Sequence, residues 1–189
     1  KGGLTAALEP LKEGVALYFS DELRYGLMTN LRRSWSKVGA RAVLPQQMGY
    51  ANRYLFSALA PLTGESFHLI GFEAMDSDTQ SAFLTALKRK HLHEHVVVVL
   101  DNAPCHRRKD LREIPGLSLV FLPPYAPELN PVERFFEEIR RATANIVFAE
   151  LADIEAAITQ AVNRWANNTK AMQQLLGYKW IHEQCREVI

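Results

Sequence analysis

Cysteine is scarce in this sequence: Cys105 and Cys185 are the two among 189 residues. They form no CxxC pair, which excludes a disulfide scaffold, argues against a zinc site and fits a reducing compartment. An excess of charge is missing as well. Lysine and arginine total 22 against 21 acidic residues, for a formal net charge of +1. The overall balance therefore calls for neither a nucleic-acid nor a membrane partner, and any DNA contact must come from a local patch or from a part outside this chain. No wholly apolar run is longer than Val96 to Leu100, far short of a membrane-spanning helix. Internal repeats and low-complexity segments are absent. The opening Lys1-Gly2-Gly3-Leu4 carries neither an initiator Met nor a signal-peptide pattern. It reads as the middle of a longer protein from which an N-terminal region is missing.

What is present is an ordinary globular composition, 48% hydrophobic and 23% charged, enough for one domain with its own core. Val15 to Ser20 is short and β-rich and predicts a buried strand ending at Asp21. From Glu22 to Gly49 the pattern is irregular and basic, with Arg24, Arg32, Arg33, Lys37 and Arg41, which predicts a long excursion with room for short strands. Arg53–Ala60 and Ser66–Ala74 read as two strands joined by the turn Pro61-Leu62-Thr63-Gly64-Glu65. Ser77–Lys90 is helical, with Phe83, Leu84 and Leu87 on one stripe and Ser77 or Asp78 as its cap. Four consecutive valines mark Val96–Leu100 as a strand covered on both faces. A short helix at Arg107–Glu113 and a strand at Leu117–Leu122 follow. After the proline-rich loop Tyr125–Pro131, a helix is expected from Pro131, which suits a first helical position, to Ile146. Another covers Leu151–Asn167, and Lys170–Ile189 reads as helical. Three neighbouring strands followed by alternating helices and strands predict an α/β fold: a mixed five-stranded sheet with helices on both faces. The core would span 15–146, with a helical extension over 150–189.

Three acids stand where such a fold places chemistry. Asp101 closes the valine strand, at the edge where α/β sheets carry their sites; a polar residue opening a loop is the plain alternative. Asp21 holds the same kind of place after Leu17–Ser20. Glu133 falls in the first turn of a predicted helix, where the helix dipole also favours an acid for structural reasons alone. Taken together they suit a hard cation. Mg²⁺ takes oxygen ligands and is held by a few carboxylates plus substrate phosphates. Two such ions about 3.5–4 Å apart activate a water and stabilise the leaving oxygen in phosphodiester cleavage.

The strings that hold these acids are Phe19-Ser20-Asp21-Glu22, then Val98 to His106 (Val-Val-Leu-Asp-Asn-Ala-Pro-Cys-His), then Leu122 to Glu133 (Leu-Pro-Pro-Tyr-Ala-Pro-Glu-Leu-Asn-Pro-Val-Glu). They resemble the DDE catalytic domain of mariner-like transposases, in the branch of bacterial insertion-sequence enzymes, over roughly Ala16 to Arg141. Trp35, Gly39, Ala58 and Gly64-Glu65 also resemble that family's pattern. The resemblance implies an RNase H-like fold and a catalytic, metal-binding triad of Asp21, Asp101 and Glu133. It further implies two Mg²⁺ ions, replaceable by Mn²⁺, and metal-dependent cleavage at transposon ends followed by strand transfer into target DNA, usually at a TA dinucleotide. The partners it implies are terminal inverted repeats and target DNA, bound by a dimer in the bacterial cytoplasm at the nucleoid, with no membrane. One departure is the interval of 31 residues between Asp101 and Glu133, short for the family, which reads as a trimmed loop near Arg107–Gly116. Two other readings remain on the residues alone: an inactive or domesticated copy that binds DNA or a partner, and an RNase H-like nuclease or resolvase.

Other side chains carry weaker signals. Asn102 and His106 match the family string and either orient Asp101, meet DNA or simply cap the loop. Arg140 lies seven residues past Glu133 on the same helical face, placed to contact a phosphate or to pair with Glu137 or Glu138. Glu137 shares that face one turn deeper as a lesser ligand. His91, His93 and His95 alternate, but no acid or Cys completes a metal set. Phe135, Phe136 and Trp165 read as core. Tyr125 either stacks on a base or packs its turn. The basic run Arg24–Arg41 either follows a DNA backbone or forms a solvated face.

Overall fold

A computed structural model describes residues 14–103, 106, 111, 113–124 and 126–185. The expected short helix at Arg107–Glu113 and the role of Tyr125 lie largely outside the described residues. The elements run β1 (Val15–Gly26), β2 (Asn52–Leu59), β3 (Ser66–Phe72), α1 (Ser77–Lys90), β4 (His95–Leu100), β5 (Leu117–Phe121), α2 (Val132–Ala142), α3 (Leu151–Ala166), α4 (Thr169–Leu176) and α5 (Lys179–Cys185).

The five strands form one sheet in the order β3-β2-β1-β4-β5. The β1–β2 and β2–β3 pairs are antiparallel, while β1–β4 and β4–β5 are parallel. The valine strand β4 is therefore interior, and all of Val96–Leu100 is buried, as a run without alternation requires. Alternate residues of each strand face opposite sides, and each side has its own core. Leu17, Phe19, Val97 and Val99 pack against Phe135, Phe136 and Ile139 of α2, Ile154 and Ile158 of α3, and the two helices after it. Tyr18, Phe56, Val96 and Val98 pack against Phe83, Leu84 and Leu87 of α1. Helices thus cover both faces, and the C-terminal ones complete one core rather than stand apart from it.

Four details depart from the sequence reading. β1 runs six residues past Ser20, because it changes partners. Val15–Phe19 pair with β4, and Phe19–Gly26 continue on β2. The cap of α1 is Asp76, whose carboxylate accepts from the N–H groups of Asp78 and Thr79 while the Thr79 hydroxyl accepts from the Asp76 N–H, a reciprocal capping box. The helix expected to reach Ile146 stops at Ala142. Asn145 adopts φ 60°, a left-handed conformation that Asn tolerates. Its N–H then donates to Asn30 O, and its side-chain oxygen accepts the Arg32 N–H. Lastly, the chain between β1 and β2 contains no helix or strand over 27–51. Its base is pinned by Leu27 N–H to Ala51 O and Thr29 N–H to Gln47 O, and Trp35 stands fully exposed on it.

Candidate active site

Parallel pairing of β1 with β4 decides where the acids go. Phe19 is opposite Val99, so two residues further on Asp21 and Asp101 emerge from adjacent strands at the same sheet edge. The third acid comes from the loop that returns across this edge. After β5, Pro123-Pro124 stop the strand, and Pro127–Leu129 form a single 3-10 turn. Pro131, with φ −65°, then starts α2 as its ring allows, which leaves Glu133 in the first turn. Asp21, Asp101 and Glu133 all line one cleft of about 410 Å³, walled by Asn102, Leu122, Pro123, Pro124, Pro127 and Asn130.

Asn130, a residue that sequence reasoning quoted without a role, joins these parts. Its amide donates to Asp21 Oδ2 at 3.3 Å and to Ser20 O at 3.1 Å, while its oxygen accepts the Val132 N–H. One buried side chain thus fixes an acid, its strand and the start of the helix that carries the third acid. Asp21 also accepts the Glu22 N–H on Oδ1 at 2.8 Å. Burial first, then the charges of Glu22, Glu133 and Asp101, push its carboxyl up to about 8.

Asp101 is more open, with 57% of its side chain exposed. Its Oδ1 accepts from Ala103 N–H at 2.9 Å and from His106 Nδ1 at 2.8 Å. His106 is 1% exposed, and its Nε2 lies 3.3 Å from Glu22 Oε1. Burial alone would lower this imidazole, but the hydrogen bond and charge of Glu22, with Asp101 behind them, outweigh it and hold it up at about 9. The ring is therefore protonated at neutral pH and donates from both nitrogens. The contacts of His106 are thus to Asp101 and Glu22. Asn102 turns its amide to Leu122 O and ties the ends of β4 and β5 together.

Arg140 reaches Glu133 at 3.4 Å and Glu137 at 3.0 Å. Glu137 is also held by Arg32 at 2.9 Å, and the two guanidiniums, Arg32 foremost, keep its carboxyl below the usual range. Glu138 pairs with Arg141 instead. The histidine trio does not converge: His91 contacts Tyr18 and Glu94, while His95 contacts Ser118. Phe135 and Phe136 are core residues, and Trp165 packs partly buried against the same core.

Among the described residues, no three His, Cys, Asp or Glu side chains are drawn together tightly enough to hold an ion. The donor set nonetheless fits a hard divalent cation. All three donors are carboxylates facing one cleft, and the charge crowding on Asp21 is the kind that a cation relieves.

A mixed sheet in this order, clad by helices on both faces, is an RNase H-like fold, and three acids stand together at one of its edges. The chain belongs to the DDE superfamily endonuclease family, whose pattern it matches over residues 16–156. Among solved structures, the fold is similar to that of Mos1 transposase. A pre-cleavage Mos1 transpososome aligns over 89% of this chain and 56% of the Mos1 chain, with TM-score 0.65 and 13% identity. The Mos1 mariner paired-end complex with Mn aligns over 89% and 55%, with TM-score 0.63 and 15% identity. The chain thus spans little more than half of the Mos1 chains it matches. It is also 28% identical over 131 residues to "Uncharacterized protein y4pE/y4sA" of Sinorhizobium fredii (strain NBRC 101917 / NGR234), covering 68% of this chain and 96% of that one. No described helix is long and apolar enough to cross a membrane.

Proposed function

We propose that this endonuclease domain is the catalytic core of a cut-and-paste transposase, with Asp21, Asp101 and Glu133 as its catalytic triad. The observation that carries this reading is that acids from β1, β4 and α2, far apart in sequence, line a single cleft. Those three residues would hold the divalent cations, Mg²⁺ or Mn²⁺. Bound there, such ions would supply Lewis-acid activation of the attacking water or 3′-hydroxyl and charge stabilisation at the leaving oxygen.

The chain's own groups do the rest. Asn130 holds Asp21 and the N-terminus of α2 in fixed relation. His106 holds one oxygen of Asp101 and leaves the carboxylate's other edge toward the cleft. Arg140, paired with Glu133, exchanges it for a DNA phosphate when the strand enters, supplying the positive charge that the overall composition lacks. The substrates are the terminal inverted repeats of a mobile element and then a target duplex. Joining two ends calls for a dimer, working on nucleoid DNA in the bacterial cytoplasm.

The test uses the full-length protein with duplexes carrying candidate element ends. Mg²⁺-dependent nicking followed by joining of the 3′ end to a second duplex supports the reading. Nicking without joining favours a nuclease or resolvase, and cleavage that survives Asp101→Asn overturns the site.

A further inference from the structure

Glu22 faces away from the cleft. Adjacent strand residues point to opposite sides of a sheet, so with Asp21 turned to the cleft, Glu22 points into the opposite layer. Its carboxylate is 4% exposed there, against a His106 ring that is 1% exposed. A carboxylate–imidazole pair in so enclosed a place contributes little stability, since apolar residues of similar volume often do as well or better. What the pair does have is reach. His106 Nδ1 lies 2.8 Å from Asp101 Oδ1, and the Glu22 N–H donates to Asp21 Oδ1 at 2.8 Å. One residue thus grips two of the three acids, one through its backbone and the other through a buried ring.

Resting on the metal-site reading above, we infer that Glu22 is a positioning residue: through His106 it sets the rotation of the Asp101 carboxylate and so builds the metal-binding edge of the site from behind. Both hydrogen-bond donors to Asp101, His106 Nδ1 and Ala103 N–H, act on the same oxygen. Among the described residues Oδ2 has no such partner, and it is the oxygen left to face the cleft. With more than half of its side chain exposed, Asp101 has no other contact among the described residues that would stop the carboxylate from turning. Outer partners of this kind orient ligands, and their loss typically costs about 10–100-fold in metal affinity.

The experiment has two readouts on the full chain. In metal-free protein, NMR follows the ring nitrogens of His106 and the side-chain carboxyl carbon of Asp101, in wild type and in Glu22→Gln. Mn²⁺ affinity is then measured by electron paramagnetic resonance for wild type, Glu22→Gln, His106→Asn and the double variant. Glu22→Gln keeps the shape and an acceptor oxygen, and Glu22→Asp serves as a second variant should Gln fail to fold. The expected result is a shift at both His106 and Asp101 in a variant that still folds. Mn²⁺ binding should weaken about tenfold or more, and the double variant should be no weaker than His106→Asn alone. An unmoved Asp101 signal overturns the relay whatever the metal does. A moved signal with undiminished Mn²⁺ binding, or effects of the two single variants that simply add, overturns the positioning role. The metal reading fails separately and first, if wild type binds Mn²⁺ no better than Asp101→Asn.

Discussion

Arg140 holds Glu133 and Glu137 at once, at 3.4 Å and 3.0 Å, so the third acid of the site shares its charge with a cation carried on its own helix. On the proposed function, a divalent ion at Glu133 would have to compete with that guanidinium. Arg140→Gln should therefore tighten Mn²⁺ binding by a few-fold while weakening DNA binding and lowering the slope of affinity against salt by about one. Titration calorimetry with Mn²⁺ and filter binding across a salt series read the two effects. A fall in both affinities would show that Arg140 merely supports the helix.

Neutralising the acids should separate activity from stability. Asp21→Asn, Asp101→Asn and Glu133→Gln are each expected to lower cleavage on the order of 10³-fold. In EDTA, Asp21→Asn should melt above wild type, because burial and three neighbouring carboxylates disfavour the charge it removes. Adding Mn²⁺ should raise the melting point of wild type and leave Asp21→Asn nearly unmoved. A destabilised Asp21→Asn would mean that Asn130 needs a charged partner.

His68 predicts an acid-sensitive fold. Its Nδ1 is 2.9 Å from Ser57 Oγ, its ring stacks on Phe135, and its Nε2 is enclosed without a partner among the described residues. Burial, with Lys90 adding, lowers it to about 4 from 6.5. A base with a depressed folded pKa takes up its proton in the unfolded chain first. Stability is then full above about pH 6.5 and falls as pH drops toward 4. The loss attributable to this residue is on the order of 2–3 kcal/mol. Urea melts at pH 7, 5.5 and 4.5 should show wild type losing more than His68→Gln, and parallel losses would sink the assignment.

Gly64 turns β2 into β3 with φ 75°, and a Cβ there would run into the carbonyl of Thr169 at the start of α4. Gly64→Ala should cost about 2 kcal/mol or more, combining backbone strain with displacement of α4. Chemical denaturation measures it, and a neutral result would mean that α4 rides loosely on the sheet.

The sequence made the acids visible because each stands beside a strong local signal. Asp101 ends a run of four valines and a leucine, Asp21 ends an apolar run, and Glu133 stands two residues after a proline of the kind that suits a helix start. The motif strings then named the family, and parallel pairing of β1 with β4 supplied the neighbourhood that spacing alone left open. The partners of the acids were harder to see. Asn130, Glu22 and Arg32 act across 109, 84 and 105 residues of sequence, and no period or composition encodes such a meeting. The same holds for the end of α2. Its periodicity runs on toward Ile146, but a single left-handed Asn145, bonded to the base of the excursion, halts it.

The change of partner along β1 has a consequence for shape. β1 is twelve residues long and β4 only six, and beyond Phe19 the longer strand keeps one neighbour and loses the other. This mismatch leaves a notch in the sheet's rim whose width is drawn by main chain rather than by side chains. Substitutions within the notch alter its chemistry without closing it, whereas extending β4 by a single pair of residues would narrow the space that the proposed function reserves for a strand of DNA.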